Sequence, residues 1–238
     1  MTTIEMVSSK PKTHQAKEDI ARCLMSAADV FAGLPEADIE RLDEVIGIRH
    51  VEKGHIIYMP EDKGGMLFIL KQGRVQLYRL SADGRKLVLA ILGPGGIFGE
   101  MSMVGEGRYQ TFAEAVEASE VCTLSRQDME RLILDSPHIA LRLVNVIGQR
   151  LAETESRLKD VAFKSVPARI AALLLQLADQ GRLVIDGYTH QEISEIVGTY
   201  RETTTQTLND FRAQGLIDIK RKHIKILDVE GLKRIAES

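Results

Sequence analysis

Tyr188–Leu216 reads YTHQEISEIVGTYRETTTQTLNDFRAQGL, and the rest of the chain makes sense around it. Ile193, Ile196 and Val197 stand apolar at i, i+3 and i+4, and the pattern stops at Gly198. A second pattern begins within three residues and puts Thr204, Leu208 and Phe211 on one face. This is a helix-turn-helix. With those three side chains turned to a core, about 100° per residue sends Glu202, Gln206 and Asn209 outward, and Arg201 flanks the same side in the first turn. A guanidinium fork fits the O6/N7 acceptors of guanine, a carboxylate accepts from cytosine N4, and Gln pairs with adenine. A helix N-terminus lodged in the major groove would present them there. The same letters admit a plainer use. Thr199-Tyr200-Arg201-Glu202 also fits a T-x-x-E capping box, in which Glu202 merely returns to a backbone N–H. Helix-turn-helix units also occur in proteins that never touch DNA.

Just downstream, Lys220-Arg221-Lys222-His223 lies between Ile219 and Ile224. It reads as a basic hairpin, a wing whose Lys222 reaches phosphate and makes binding salt-dependent; the plainer reading is a solvated turn. Just upstream, Gly181 to Gly187 holds a short strand, LVI, and ARIAALLLQLADQ is apolar enough to be a core helix. That helix follows a hinge, Phe163-Lys164-Ser165-Val166-Pro167, in which Ser165 suits the N-cap and Pro167 the first turn.

Further back, from Pro137, the residues Val144, Ile147, Leu151, Thr154, Leu158 and Val161 recur at alternating gaps of three and four. That is an a/d seam, with Arg150, Glu153, Arg157 and Lys159 keeping its flanks wet. Such a helix can lie on its own domain or pair with a copy. The reader downstream favours pairing, because two recognition helices must stand about 34 Å apart to read a two-fold operator. A homodimer about this seam is expected. A shorter helical piece, DMERLILDS, precedes it.

Between His50 and Leu124 the chain reads as strands, HIIYM, MLFIL, RVQLYRL, KLVLAIL and EVCTL, with Asp83-Gly84 and Gly93-Pro94-Gly95-Gly96 at corners. A small closed β-roll or barrel follows. Before it come a polar tail to about Gln15, a helical pattern from Lys17 and a short helix opened by Pro35 and Glu36 that ends near Ile46.

The chain has 238 residues, 44% hydrophobic and 27% charged, enough for two modest domains. No apolar run approaches the roughly 18 to 20 residues that span a bilayer, and the N-terminus lacks an apolar signal core, so a cytoplasmic protein with no membrane partner is expected. The net charge of −3 does not argue against nucleic acid when the local run at Lys220 is basic. Two cysteines, Cys23 and Cys122, exclude a disulfide framework, a CxxC zinc site and a cysteine-ligated cluster, and are expected as reduced thiols. No metal site is expected. Nucleophile-elbow, P-loop and HExxH motifs are absent, so the chain does not read as an enzyme.

TYRETTTQTLNDFRAQGLI closely resembles the recognition-helix segment of the Crp/Fnr family of bacterial transcription regulators, whose second helix opens on Arg-Glu-Thr. ADVFAGLPEADIERL, QGRVQLYR and GGIFGEMSM resemble the cyclic-nucleotide-binding fold of the same family. The resemblance covers roughly residues 28 to 230. It implies an α+β chain: an N-terminal tail and helix (1–27), a cyclic-nucleotide-binding-like sensor β-roll (28–136), a dimerisation helix and hinge (137–164) and a winged helix-turn-helix (165–238). It further implies that Arg201 and Glu202 read bases in each half-site, that Thr189, Gln191 and Thr203 hold phosphates, and that RNA polymerase is a partner. Gln206 stands where the catabolite activators carry a second base-reading Arg.

In relatives that bind cyclic AMP, backbone N–H groups after Gly-Glu meet the cyclic phosphate, the Glu takes the ribose hydroxyl, and an Arg followed by Ser or Thr neutralises the phosphate. Gly99 and Glu100, followed by Met101, match the first two, although a tight turn would also need them. Counting forward from Glu100 puts Gln110-Thr111 at the Arg-Ser position; counting back from EVCTLS puts Tyr109-Gln110 there. Neither register supplies a cation. Arg108 comes one or two positions early, and a shift of one on a strand turns the side chain to the other face. Thr154 matches a position that contacts adenine across the dimer, but Glu155 replaces the usual Ser or Thr beside it. Cyclic AMP is therefore disfavoured, since Glu100 would meet an anion without compensation. Haem stays open, with His50, His55, Cys122, Met101 and Met103 as residues of suitable type that equally suit packing. Two functions are carried forward: a homodimeric, sequence-specific transcription regulator acting on a two-fold DNA operator, and a regulatory protein of cyclic-nucleotide fold whose C-terminal unit contacts a protein.

Overall fold

Apolar runs broken by glycine turns build eight strands between Gly47 and Ser125: β1 (Gly47–Val51), β2 (Ile56–Tyr58), β3 (Met66–Gln72), β4 (Val75–Leu80), β5 (Lys86–Leu92), β6 (Ile97–Phe98), β7 (Phe112–Ala115) and β8 (Ser119–Ser125). This computed structural model describes residues 45–103, 107–178 and 183–237. The expected tail, the helical pattern from Lys17, most of the helix opened by Pro35, and Cys23 fall outside the described residues. Two units are present, one ending at Gln149 and lacking Arg79–Leu89, the other made of Arg79–Leu89 and the chain from Arg150.

Strands β1 to β8 form two four-stranded sheets, ordered β1-β8-β3-β6 and β2-β7-β4-β5. Strand β3 shows why they pack as they do. It pairs antiparallel with β8, Leu67 opposite Leu124 and Ile69 opposite Cys122, and successive side chains point to opposite faces. Leu67 and Ile69 join Cys122, Leu124 and Ile97 in a core closed by Met129, Leu132 and Ile139. Phe68 and Leu70 point the other way, into an interior shared with Tyr58, Val75, Leu77, Phe98, Tyr109 and Ala113. Buried on both faces, β3 reads MLFIL rather than as an alternating strand.

The apolar runs predicted β2, β3, β4, β5 and β8. Strands β1, β6 and β7 are additional, and their sequences, GIRHV, IF and FAEA, are short or polar. They gain strand form from ladders with β8, β3 and β4. Cys122 corrects the expectation of reduced thiols: it is disulfide-bonded, and no described cysteine is a free thiol. A count of two cysteines excluded a framework of bridges, but it does not bear on a single one.

Two helices follow. Helix α1 (Arg126–Asp135) is capped by Ser125, whose hydroxyl accepts from the Asp128 N–H. Helix α2 (His138–Phe163) buries Ile139, and Leu143 and Val146 lean on the same core. The predicted seam lies elsewhere on its surface, and Val144 (63% exposed), Leu151 (57%) and Leu158 (68%) face solvent.

In the second unit Ser165 caps α3 (Val166–Leu177) by accepting from Ala168 N–H, and Pro167 sits in its first turn, both as expected. Helices α4 (His190–Val197) and α5 (Arg201–Ala213) form the predicted pair. Strand β9 (Val184–Asp186) pairs with β11 (His223–Ile226), which pairs in turn with β10 (Ile217–Lys220), and α6 (Val229–Ala236) closes the unit. Ile170, Leu174, Ile185, Ile193, Leu208 and Leu232 are fully or almost fully buried together. Burying each such side chain contributes about 1.5–3 kcal/mol, so the pair of helices is held by a core rather than by propensity. Among the described residues no helix is long and apolar enough to cross a membrane, and no cluster of metal-binding side chains occurs.

Candidate nucleic-acid interface

Helix α4 opens on a capping box. The Thr189 hydroxyl accepts from Glu192 N–H at 3.2 Å, and the Glu192 carboxylate accepts from Thr189 N–H at 2.7 Å. It ends on Gly198 at φ 75° and ψ 46°, a left-handed conformation that glycine adopts without steric cost. Helix α5 starts at once, with Tyr200 as N-cap and no side-chain capping bond. The reciprocal box proposed for Thr199 and Glu202 is therefore absent, and Glu202 stands exposed in the first turn.

The faces of α5 divide as the periodicity predicts. Thr204, Leu208 and Phe211 are 0, 0 and 2% exposed, joined by Thr207. Arg201, Glu202, Gln206 and Asn209 are all exposed and, with Thr205 and Asp210, line one open depression along the helix. The wing turn exposes Lys220, Arg221 and Lys222, the last at φ 55°. His223 Nδ1 lies 2.7 Å from Asp186 Oδ1 and ties the wing to β9.

Of the predicted phosphate ligands, Thr189 already uses its hydroxyl in the cap, Gln191 is exposed with its amide donating to Glu195 Oε1 at 2.8 Å, and Thr203 is half-buried. Two further residues hold the helix pair and were invisible in the sequence, because each bonds a residue well separated from it in the chain. His190 Nδ1 sits 3.0 Å from Thr205 Oγ1; burial, then the charge of Arg201, hold its pKa below the usual imidazole value, so the ring is neutral at pH 7. Arg169 of α3 donates through Nη1 to the Val197 carbonyl at 2.8 Å and so caps the end of α4.

The residues matched to an effector pocket divide between the two units. Gly99 has φ 84°, and a Cβ there would meet Met66 O at 2.7 Å and the Phe68 ring at 2.9 Å, so the turn itself requires glycine. Glu100 is buried at the head of a short 3-10 helix that also contains Met101. Tyr109 points inward, 4% exposed, its ring stacked on Tyr58 at 3.9 Å and its hydroxyl donating to Met66 O at 3.2 Å. Burial pushes its phenol pKa up, so it is uncharged. Arg108, being next to Tyr109, faces outward and donates to the Glu61 carbonyl at 2.8 Å. Gln110 is exposed and Thr111 half-buried. Thr154 and Glu155 are exposed on α2, in the second unit, where the Thr154 hydroxyl donates to Arg150 O. Of the haem candidates, His50 and His55 are exposed beside Glu120 and Glu52, and Cys122, being disulfide-bonded, offers no thiolate.

Comparison with known proteins gives two domain matches, the cyclic nucleotide-binding domain over residues 48–136 and the Crp-like helix-turn-helix domain over residues 168–235. The chain is 32% identical over 220 residues to a CRP-like cAMP-activated global transcriptional regulator of Mycobacterium tuberculosis, covering 90% of this chain and 98% of that one. It is 31% identical over 212 residues to the cyclic AMP receptor protein of Thermus thermophilus, covering 89% and 98%. The crystal structure of a CRP/FNR-family transcriptional regulator from Thermus thermophilus matches with a TM-score of 0.69 at 29% identity, covering 80% of this chain and 98% of that one.

Proposed function

Because the chain belongs to the Crp/Fnr family of DNA-binding transcription regulators, we propose that it works as a homodimer that lays α5 into the major groove of each half of a two-fold operator. The observation that carries this reading is the division of α5, whose buried Thr204, Leu208 and Phe211 leave Arg201, Glu202, Gln206 and Asn209 outward. These are groups that hydrogen-bond base edges. The wing lysines and Thr203 supply contacts to the backbone, which position the helix without reading sequence. Pairing is supported by the stripe on α2, whose exposed Val144, Leu151, Leu158 and Val161 stay out of their own core and suit a second copy. Arg201→Ala tests the reading: operator affinity falls by about 1–3 kcal/mol per half-site, while sedimentation still finds a dimer. Unchanged affinity for every DNA fragment would refute it.

The same proposal holds that cyclic AMP does not open this regulator in the way the names of its two relatives describe. Interior position 109 holds an uncharged tyrosine that fills the roll, and the neighbouring guanidinium is bonded to Glu61 on the outside. A cyclic phosphate there would lack its counter-charge. Millimolar cyclic AMP is therefore expected to leave the thermal midpoint unmoved, since only a ligand of the folded state raises it. A dose-dependent rise refutes this part alone.

A further inference from the structure

The hairpin Arg79–Leu89 is joined to α2 through one side chain and to the reader at two points. Arg157 of α2 donates through Nη1 to the Val88 carbonyl at 3.4 Å and also to that of Leu89. Leu87 reaches the turn between α4 and α5, where a Cβ on Gly198 would lie 3.1 Å from its Cδ1. The Arg85 guanidinium lies over the Tyr200 ring, 4.8 Å from its centroid. The tip is rigidly built. The Ser81 hydroxyl accepts from Arg85 N–H at 3.0 Å and also bonds Asp83, and Arg85 Nε donates to Asp83 Oδ2 at 2.7 Å. The bonds from Ser81 and Arg85 hold the Asp83 carboxyl below the usual carboxylate range, so it is ionised.

We propose that this hairpin is a latch on the reader, which must let go of Tyr200 and the Gly198 turn before α5 can enter a groove. The inference rests on the reading of α5 as the groove helix. Tyr200 immediately precedes Arg201, so the latch sits on the end of α5 that enters first. A helix with its side chains is about 10–12 Å across and the major groove about 12 Å wide, so the groove has no room for a second element stacked on that end. The hairpin would meet the phosphate rail before α5 could seat. DNA binding and the closed latch therefore compete, a two-state equilibrium in which only the open state binds.

The probe is the symmetric duplex that the wild-type protein recovers from a random-sequence pool; if it recovers none, the reading of α5 fails and the latch with it. Arg85→Ala and Leu87→Ala remove half-exposed side chains without opening a core. Each is expected to bind that duplex about two- to fivefold more tightly, the scale of one exposed cation–aromatic contact, with an unaltered salt dependence. Arg85→Lys, which keeps a cation over the ring, restores the wild-type affinity. Weaker binding by Arg85→Ala with a shallower salt slope would make Arg85 a phosphate contact and overturn the latch, as would wild-type affinity in both single variants. A second measurement needs no DNA. Tyr200→Trp introduces a sole tryptophan into a chain that has none, and its quenching by acrylamide should rise when Arg85→Ala is added; equal quenching overturns the proposal.

Discussion

Helices α2 and α5 both carry side chains that their own unit leaves exposed, and the two sets are of opposite character. On α2 the outward residues are Val144, Ile147, Leu151, Leu158 and Val161; on α5 they are Arg201, Glu202, Gln206 and Asn209. An exposed apolar stripe is relieved by another apolar stripe, which a second copy supplies. An exposed polar face with a guanidinium, a carboxylate and amides gains little from such a surface and suits the ordered donors and acceptors of base edges. On the proposed reading, self-association falls to one helix and recognition to the other.

The largest effect is expected where the two roles are forced together. Leu151→Asp puts a carboxylate into the seam twice per dimer and loses two leucine burials. The dimer constant should weaken at least about a hundredfold in sedimentation, and operator binding should fall with it. Retention of the dimer would dissolve the contrast. Phe211→Ala attacks the inward face of α5 and should cost about 3–5 kcal/mol in urea unfolding, whereas Leu151→Ala, exposed within a single chain, should leave the stability of the diluted protein nearly unchanged. Arg201→Ala, on the outward face, is expected to lose about 1–3 kcal/mol of operator affinity per half-site with no change in the unfolding midpoint. The smallest effect is at the junction: Ser165→Ala removes the cap of α3 and should cost about 1 kcal/mol of stability, while leaving the seam untouched.

Both helices were legible because their patterns are local. A period of 3.6 residues, a stop at Gly198, a cap at Ser165 and a proline at 167 each act within a turn or two of chain. Strand β7 was not legible, since FAEA has no strong signal of its own and becomes a strand by pairing with residues 75 to 78. The segment after Glu100 was less legible, because the inward turn of Tyr109 depends on a ring stacked against that of Tyr58, fifty-one positions earlier in the chain. The bridge at Cys122 and the tie between Arg169 and Val197 escaped for the same reason, as did the contact of Arg85 with Tyr200.

The amino-acid order by itself determined most of the helices and the longer apolar strands, which side of α5 is polar, and that an apolar stripe runs along α2, because these follow from side-chain type repeated at the period of the backbone. Only the tertiary structure decided that Glu202 is not a cap, that Arg108 looks outward while Tyr109 fills the roll, and that a hairpin rests on the residue just before α5. Those outcomes depend on distances between residues far apart in the chain, which packing sets and no local period encodes.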